Sequence, residues 1–217
     1  MKLRYFLRNL ISYAHLLNRK RVNKKRVALA KQKLKKYQQP YCLHLGCGKI
    51  HLDGWLNIDL DSEGAADIQL DITWPLPFDD NSCQLIFTEH MLEHLSVEQG
   101  VALLKECFRA LQKGGVLRVA MPSLDRLIQK SHDGSWRDAE WLSWPEFKHV
   151  NTRAEMMNMA FREWGHQWLY DREELYRRLK EAGFEAIDDC EWGVSKHANL
   201  CGRETRKESF LIAEAEK

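Results

Sequence analysis

Residues 88–95 read Thr-Glu-His-Met-Leu-Glu-His-Leu, and within them His90, Glu93 and His94 form the spacing H-x-x-E-H. On a helix, two histidines four apart share one face, so this spacing can grip a divalent metal with a glutamate beside it as base. The same groups suit a second chemistry. An imidazole that titrates near neutrality can take a proton directly from a nucleophile. The element that carries the stretch, and what precedes it, decides between the two.

About forty residues upstream stands Leu-His-Leu-Gly-Cys-Gly-Lys-Ile-His-Leu-Asp-Gly-Trp-Leu-Asn-Ile-Asp-Leu, residues 43–60. A strand runs straight into Gly46-Cys47-Gly48, where missing side chains let backbone amides approach a ligand. A second strand ends at Asp59, and an acid there is placed to accept hydrogen bonds from both hydroxyls of a ribose. Asp71-Ile72 follows a third short strand, where a carboxylate can take the exocyclic amine of an adenine. Pro75-Leu76-Pro77-Phe78 leads into a fourth strand, and His90 and Glu93 follow at its C-terminal end.

Taken together, these residues resemble the class I S-adenosylmethionine-dependent methyltransferases of the type 11 group. The markers are Leu45-Gly46-Cys47-Gly48, Asn57-Ile58-Asp59, Pro75-Leu76-Pro77-Phe78, Glu89-His90 with Glu93-His94, and Lys113-Gly114-Gly115. The resemblance covers residues 41–125 closely. It implies an S-adenosyl-L-methionine site built from Leu45, Gly46, Cys47, Gly48, Asp59, Leu60, Asp71, Ile72 and Glu89. The chain departs from the group's pattern at His44 (usually an acid), at Ile50 (the third glycine position), at Gln84 (usually Asp) and in the short connection between the first two strands.

In this setting the H-x-x-E-H stretch begins at a strand end, whereas a zinc peptidase of the inverted type needs it inside a long helix with a further acidic ligand nearby. The histidines are therefore expected to face substrate, and no metal ligand set is assigned. Methyl transfer from a sulfonium is a direct displacement, so the enzyme aligns the nucleophile and removes its proton. His90 is the first candidate base and His166 the second, with Glu93 and His94 in support. His44 reads as a core histidine bonded to backbone, and His15, His51, His132, His149 and His197 as surface residues.

The elements that must position these groups are short apolar runs at 41–46, 55–60, 67–70, 84–88, 116–121 and 210–215, alternating with helices over about 97–112 and 171–182. Lys113-Gly114-Gly115 and Gly183 read as helix stops. The fold class is α/β, a Rossmann-like, mostly parallel sheet with helices on both faces, occupying 40–217 behind a basic helical extension at 1–39. Residues 131–170 do not alternate cleanly and hold Trp136, Trp141, Trp144, Trp164 and Trp168 of the chain's eight tryptophans. They read either as a lid over an acceptor pocket or as an insert anchored by bulky side chains. In the stretch 200–209, Glu204 and Arg206 read as solvated charges, with contact to an acceptor as the alternative.

Composition limits the setting. Of the chain's 217 residues, 44% are hydrophobic and 29% charged, the mixture of a globular protein with a core. The six cysteines form no C-x-x-C pair, which points to reduced thiols and a cytoplasmic location. Arg4, Arg8 and His15 break the N-terminal apolar run, so no secretory leader is expected. Residues 1–37 hold 13 of the 33 Lys and Arg and no acid, leaving 20 basic against 31 acidic residues in the remainder. Leu3, Phe6, Leu7, Leu10, Ile11, Ala14 and Leu17 recur at helical spacing among those charges. Three readings follow, in descending order: a helix packed on the domain, an amphipathic helix on an anionic membrane surface at the inner face, and an arm on nucleic-acid phosphates. The acceptor is expected to be a small molecule, a lipid-linked species or a glycan. A nucleic-acid methyltransferase and a non-catalytic binding module are the alternatives.

Overall fold

The computed structural model describes the backbone of residues 2–61 and 64–217 and the side chains from residue 17 onward, apart from 62 and 63. Seven strands form one sheet: β1 (Tyr41–Leu45), β2 (Leu56–Asp59), β3 (Ile68–Gln69), β4 (Cys83–Glu89), β5 (Leu111–Met121), β6 (Ala186–Asp189) and β7 (Leu211–Glu216). Their order is β3-β2-β1-β4-β5-β7-β6. The first five run parallel, and β7 lies antiparallel to both its neighbours. Successive strands are added in one direction from β1 to β3 and in the other from β4 to β5, which puts a switch point beside the C-terminal ends of β1 and β4. Open α/β sheets bind ligands at such a point.

Alternate residues of the strands enter different cores, as a pleat requires. Ile86, Leu117, Val119, Ala213 and Ala215 join the larger core with α2 (Val97–Ala110) and α5 (Arg172–Ala182). Leu85, Phe87, Val116, Ala120 and Ile212 face the other way and pack under Trp55 and Leu200. Each Leu, Ile, Val or Phe among them contributes about 1.5–3 kcal/mol when removed from water. Arg118 lies on this second face between Val116 and Ala120 and is completely buried. It is held by the carboxylates of Glu204 and Glu214 and by the carbonyls of Val194 and Glu191. The reading of Glu204 as a solvated charge is thus corrected. Its second oxygen accepts from the Gly193 amide, and both are spent inside the protein.

The start of α2 follows from its sequence. Ser96 accepts from the Gln99 amide while the Gln99 side chain accepts from the Ser96 amide, a reciprocal cap. The helix ends at Ala110, and Lys113-Gly114-Gly115 belongs to β5 instead of forming the helix stop. The pairing with β4 slips there, from Cys83–Leu111 to Leu85–Val116, so the glycines mark a strand irregularity. Gly183 does cap α5, with φ of 115°.

Residues 2–34 form one continuous helix, α1. Its C-terminal part is no free arm, since Ala30 and Leu34 are buried in the main core with Val27 against it. The expected stripe from Leu3 to Ala14 lies outside the described side chains, while Leu17 is exposed. Among the described residues, no helix is long and apolar enough to cross a membrane.

Candidate active site

The C-terminal end of β1 turns through Gly46 and Gly48, whose φ angles of 69° and 52° suit glycine. A Cβ at Gly46 would run into the Met91 side chain, so this turn packs tightly on the residue after His90. Beside Gly48 a Cβ would meet nothing within 4 Å among the described residues, while the Gly48 carbonyl accepts from the Ala65 amide. The Gly48 amide donates to Asp59 Oδ2 over 2.8 Å, and the Asp61 amide donates to Oδ1 over 2.9 Å. An ionised carboxylate has about four lone-pair sites, so each oxygen keeps one for a further donor. These residues therefore fit the ribose of S-adenosyl-L-methionine: a fixed carboxylate with spare acceptors beside the glycine turn.

The neighbouring residues are arranged as follows. Leu45 is buried under the turn, and Cys47 is buried with its thiol pushed up to about 12 by desolvation and then by Asp59. Leu60 is 51% exposed at the end of β2. Asp71 Oδ1 accepts from the Thr73 amide and hydroxyl, and Oδ2 lies 3.6 Å from Arg19 of α1. Ile72 packs partly buried against the main core. Asn57 ties this corner together, because its side chain bonds Leu52, Trp55, His51, Asp67 and His44. His44 is thus a core histidine, but its partner is the Asn57 side chain instead of backbone, and burial lowers its pKa.

Glu89, expected at the cofactor, is committed elsewhere. Its carboxylate accepts from the amides of Thr205 and Arg206 and from the hydroxyls of Thr205 and Ser209. It thereby fixes the loop before β7 against the end of β4. Sequence reading missed this role, because the only signal was a hydroxyl-rich stretch more than a hundred residues away.

His90 follows with φ of 49°, a left-handed conformation that a non-glycine residue adopts only when its surroundings enforce it. Its amide donates to the Ala120 carbonyl, and its Nε2 meets Ser209 Oγ over 3.2 Å. Its Nδ1 lies 3.6 Å from Glu93 Oε1. Burial, then Arg206, pushes the ring down to about 3, so it is neutral at physiological pH. Glu93 is 1% exposed, neither of its oxygens has a hydrogen-bond partner among the described residues, and burial raises its carboxyl to about 7. His166 reaches the same place from the insert, its Nε2 4.0 Å from Glu93 Oε1. The His94 and His166 rings meet edge-on at 4.9 Å, and burial lowers the pKa of both. The expected trio of His90, Glu93 and His166 is brought together, with His94.

Above these groups opens a cavity of about 810 Å³. Its floor holds His90, His94 and His166. Trp141, Trp144, Phe147 and Trp164 wall one side, and Arg126, Lys130, Arg206 and Lys207 bring positive charge. The wall comes from residues 131–170, short turns around α4 (Arg153–Asn158) that have a small core of their own containing Trp136, Val150, Met156 and Met159. Trp168 does not line the cavity, and its indole donates to Glu174. Arg126 and Lys130 come from α3 (Leu124–Asp133), a helix that the sequence reading did not identify.

Residues 22–119 match the family model described as a methyltransferase domain, of the type 11 group. That span contains the glycine turn, Asp59, Asp71, His90 and Glu93. No curated protein matches the sequence. Among solved structures, a SAM-dependent methyltransferase of Archaeoglobus fulgidus is 15% identical, covering 88% of this chain and 94% of its own at a TM-score of 0.52. One of Thermotoga maritima is 15% identical, with 82% of each chain covered and a TM-score of 0.45. Phosphoethanolamine N-methyltransferase 2 of Haemonchus contortus, solved with S-adenosyl-L-methionine, is 16% identical over 76% of this chain and 38% of its own, at 0.41. The Archaeoglobus likeness is one of fold, and the family match is to a methyltransferase domain. What the comparisons show is a methyltransferase-domain match of the type 11 group over residues 22–119, on a fold shared with a SAM-dependent methyltransferase.

Proposed function

We propose that the chain methylates a small-molecule, lipid-linked or glycan acceptor held in the cavity between the end of β4 and the tryptophan-rich segment. The observation that carries this reading is the lining itself: aromatic planes on one side, a histidine floor, and four basic side chains, of which Lys130 and Lys207 pair with Glu208 and Glu140 while Arg126 and Arg206 have no acidic partner within 4 Å among the described residues. Aromatic faces suit rings, sugars and acyl chains, and the basic groups suit an anionic substituent such as a phosphate or carboxylate.

When bound, S-adenosyl-L-methionine supplies a methyl group on a sulfonium, which a nucleophile displaces to leave S-adenosylhomocysteine. The chain's own residues do the rest. Gly46 and Gly48 bring backbone close at the methionine end, and Asp59 accepts from the ribose. His90 offers a neutral ring with a bare Nδ1 for the acceptor's proton, held by burial as a weaker base than a free imidazole, and His166 is the second such group. Glu89 holds Arg206 in the wall through the loop. The segment 131–170 keeps water from the reacting atoms.

The basic helix α1 supports an address at the inner membrane face of the cytoplasm, with the acceptor drawn from the lipid surface. The acidic remainder of the chain disfavours nucleic acid. Supplying methyl-labelled S-adenosyl-L-methionine to the protein with separated cell fractions tests the reading. Label in the lipid, glycan or small-molecule fraction supports it. Label confined to RNA or DNA overturns it, and cofactor binding with no label in any fraction favours the non-catalytic module.

A further inference from the structure

The H-x-x-E-H stretch has a use that methyl transfer alone does not absorb. We propose that Glu93, His94 and His166 bind a divalent transition-metal ion of the zinc type on the floor of the cavity.

Each of the three offers a ligand atom, and these atoms lie within 4.8 Å of one another. Two imidazoles and a carboxylate are a donor set of borderline softness that suits zinc and its neighbours. The last two members of H-x-x-E-H enter the cluster, and the third ligand comes from the insert, 72 positions beyond His94. The long helix that a peptidase would need is therefore replaced by a tertiary contact.

The hydrogen bonds fix which nitrogen atoms are bare. His166 Nδ1 lies 2.7 Å from the Ala160 carbonyl, which can only accept, so the ring donates there. Its Nε2 therefore carries a lone pair, aimed toward Glu93 Oε1 at 4.0 Å. The Ser209 hydroxyl gives its one proton to Glu89 over 2.7 Å, so Ser209 accepts from His90 Nε2. That leaves His90 Nδ1 bare as well, 3.6 Å from the same Glu93 oxygen. Several acceptors thus converge on one point, and no donor among the described residues answers them.

The second observation is Glu93 itself. It is 1% exposed, and both carboxylate oxygens are buried without a hydrogen-bond partner among the described residues. An unanswered buried carboxylate is costly unless a cation or a proton joins it. Arg206 is the charged side chain that lines the cavity nearby, and it makes no hydrogen bond to either oxygen.

The ligands are also held in place. The Glu93 carbonyl accepts from the amides of Gln167 and Trp168, and the Gln167 side chain donates to the His94 carbonyl. These bonds pin the segment that carries His166 onto the one that carries Glu93 and His94. The Nδ1 donation of His166 to Ala160 is the outer contact that orients metal-binding imidazoles. With three protein ligands, the ion keeps an open position for a water or an acceptor oxygen. An oxygen bound there loses its proton more readily. Only this last consequence rests on the cavity being the acceptor site; binding of the ion does not.

The test uses tag-free, chelator-treated full chain titrated calorimetrically with Zn²⁺ alone, in parallel with Glu93→Gln, His94→Gln and His166→Gln. Saturation at one ion per chain is expected, with each variant about 10- to 100-fold weaker and the exposed His149→Gln unchanged. Nitrogen NMR of the unsubstituted protein guards against variants that fail to fold, since Zn²⁺ should shift the imidazole resonances of His94 and His166. Saturable binding with those shifts supports the site. Absence of saturable binding, resonances that stay fixed, or folded variants that bind as tightly as the parent each overturn it. Turnover enters none of these readouts, so a failed metal site and a wrong acceptor class remain distinguishable.

Discussion

His90 and Ser209, 119 positions apart in the chain, meet at Nε2 and Oγ over 3.2 Å. Because Ser209 donates onward to Glu89, this contact sets the tautomer of the histidine, and β4 and the loop before β7 become one unit. The hydroxyl is buried, so its removal has a defined effect. Ser209→Ala should lower stability by about 1–3 kcal/mol in urea unfolding, since two buried polar groups lose a partner. It should also let the proton redistribute between the nitrogen atoms of His90, visible in nitrogen NMR. An unchanged tautomer would show that some other contact sets it.

Arg118 is the only charge that answers Glu204 and Glu214 through side-chain bonds among the described residues. Arg118→Met should cost about 3–5 kcal/mol, because it strands two buried carboxylates. Adding Glu204→Gln and Glu214→Gln should recover part of that loss, measured as a coupling in a mutant cycle. Simple additivity of the three changes would contradict the buried ion cluster.

These two contacts also mark the limit of what local sequence reveals. Gly46-Cys47-Gly48 and Asp59 were legible because a tight turn and an acid-ended strand depend on residues close in sequence. The strands β1 to β5 were equally legible as short apolar runs, with the periodic helix at about 97–112 between the last two. Glu204 read as a surface charge because nothing near it in sequence announces Arg118, 86 positions earlier. Glu89 read as a cofactor ligand for the same reason, its partners lying in the loop at 205–209. The exposed strand β6 lacks an apolar run, and α3 buries no residue fully, so periodicity had little to report for either. His166 could be named from its neighbours, but its approach to Glu93 required the fold.

Trp141 meets Trp164 and Phe147 edge-on, with ring centroids 5.0 and 5.3 Å apart. Trp141→Ala should loosen the cavity wall and raise the acceptor KM by up to about tenfold, the scale of one or two aromatic pairs. Affinity for S-adenosylhomocysteine should stay unchanged. If both fall together, the wall supports the whole domain and does not serve the acceptor alone.

Ala30 and Leu34 anchor α1 in the core, so a membrane test must spare them. Deleting residues 2–16 removes Lys2, Arg4 and Arg8 together with the apolar stripe. Co-sedimentation with phosphatidylglycerol vesicles should drop about tenfold or more, since each basic residue near an anionic surface contributes about 1 kcal/mol. Undiminished co-sedimentation would remove the membrane reading.

The central claim is the S-adenosyl-L-methionine site at the β1–β2 edge, where Asp59 keeps an acceptor free on each oxygen. Calorimetric titration with S-adenosylhomocysteine, on the parent chain and on Asp59→Asn, tests it most directly. The account predicts saturable binding by the parent and a loss of about tenfold or more in the variant, equivalent to about 1.4 kcal/mol. No binding by the folded parent, or equal binding by both, would contradict it.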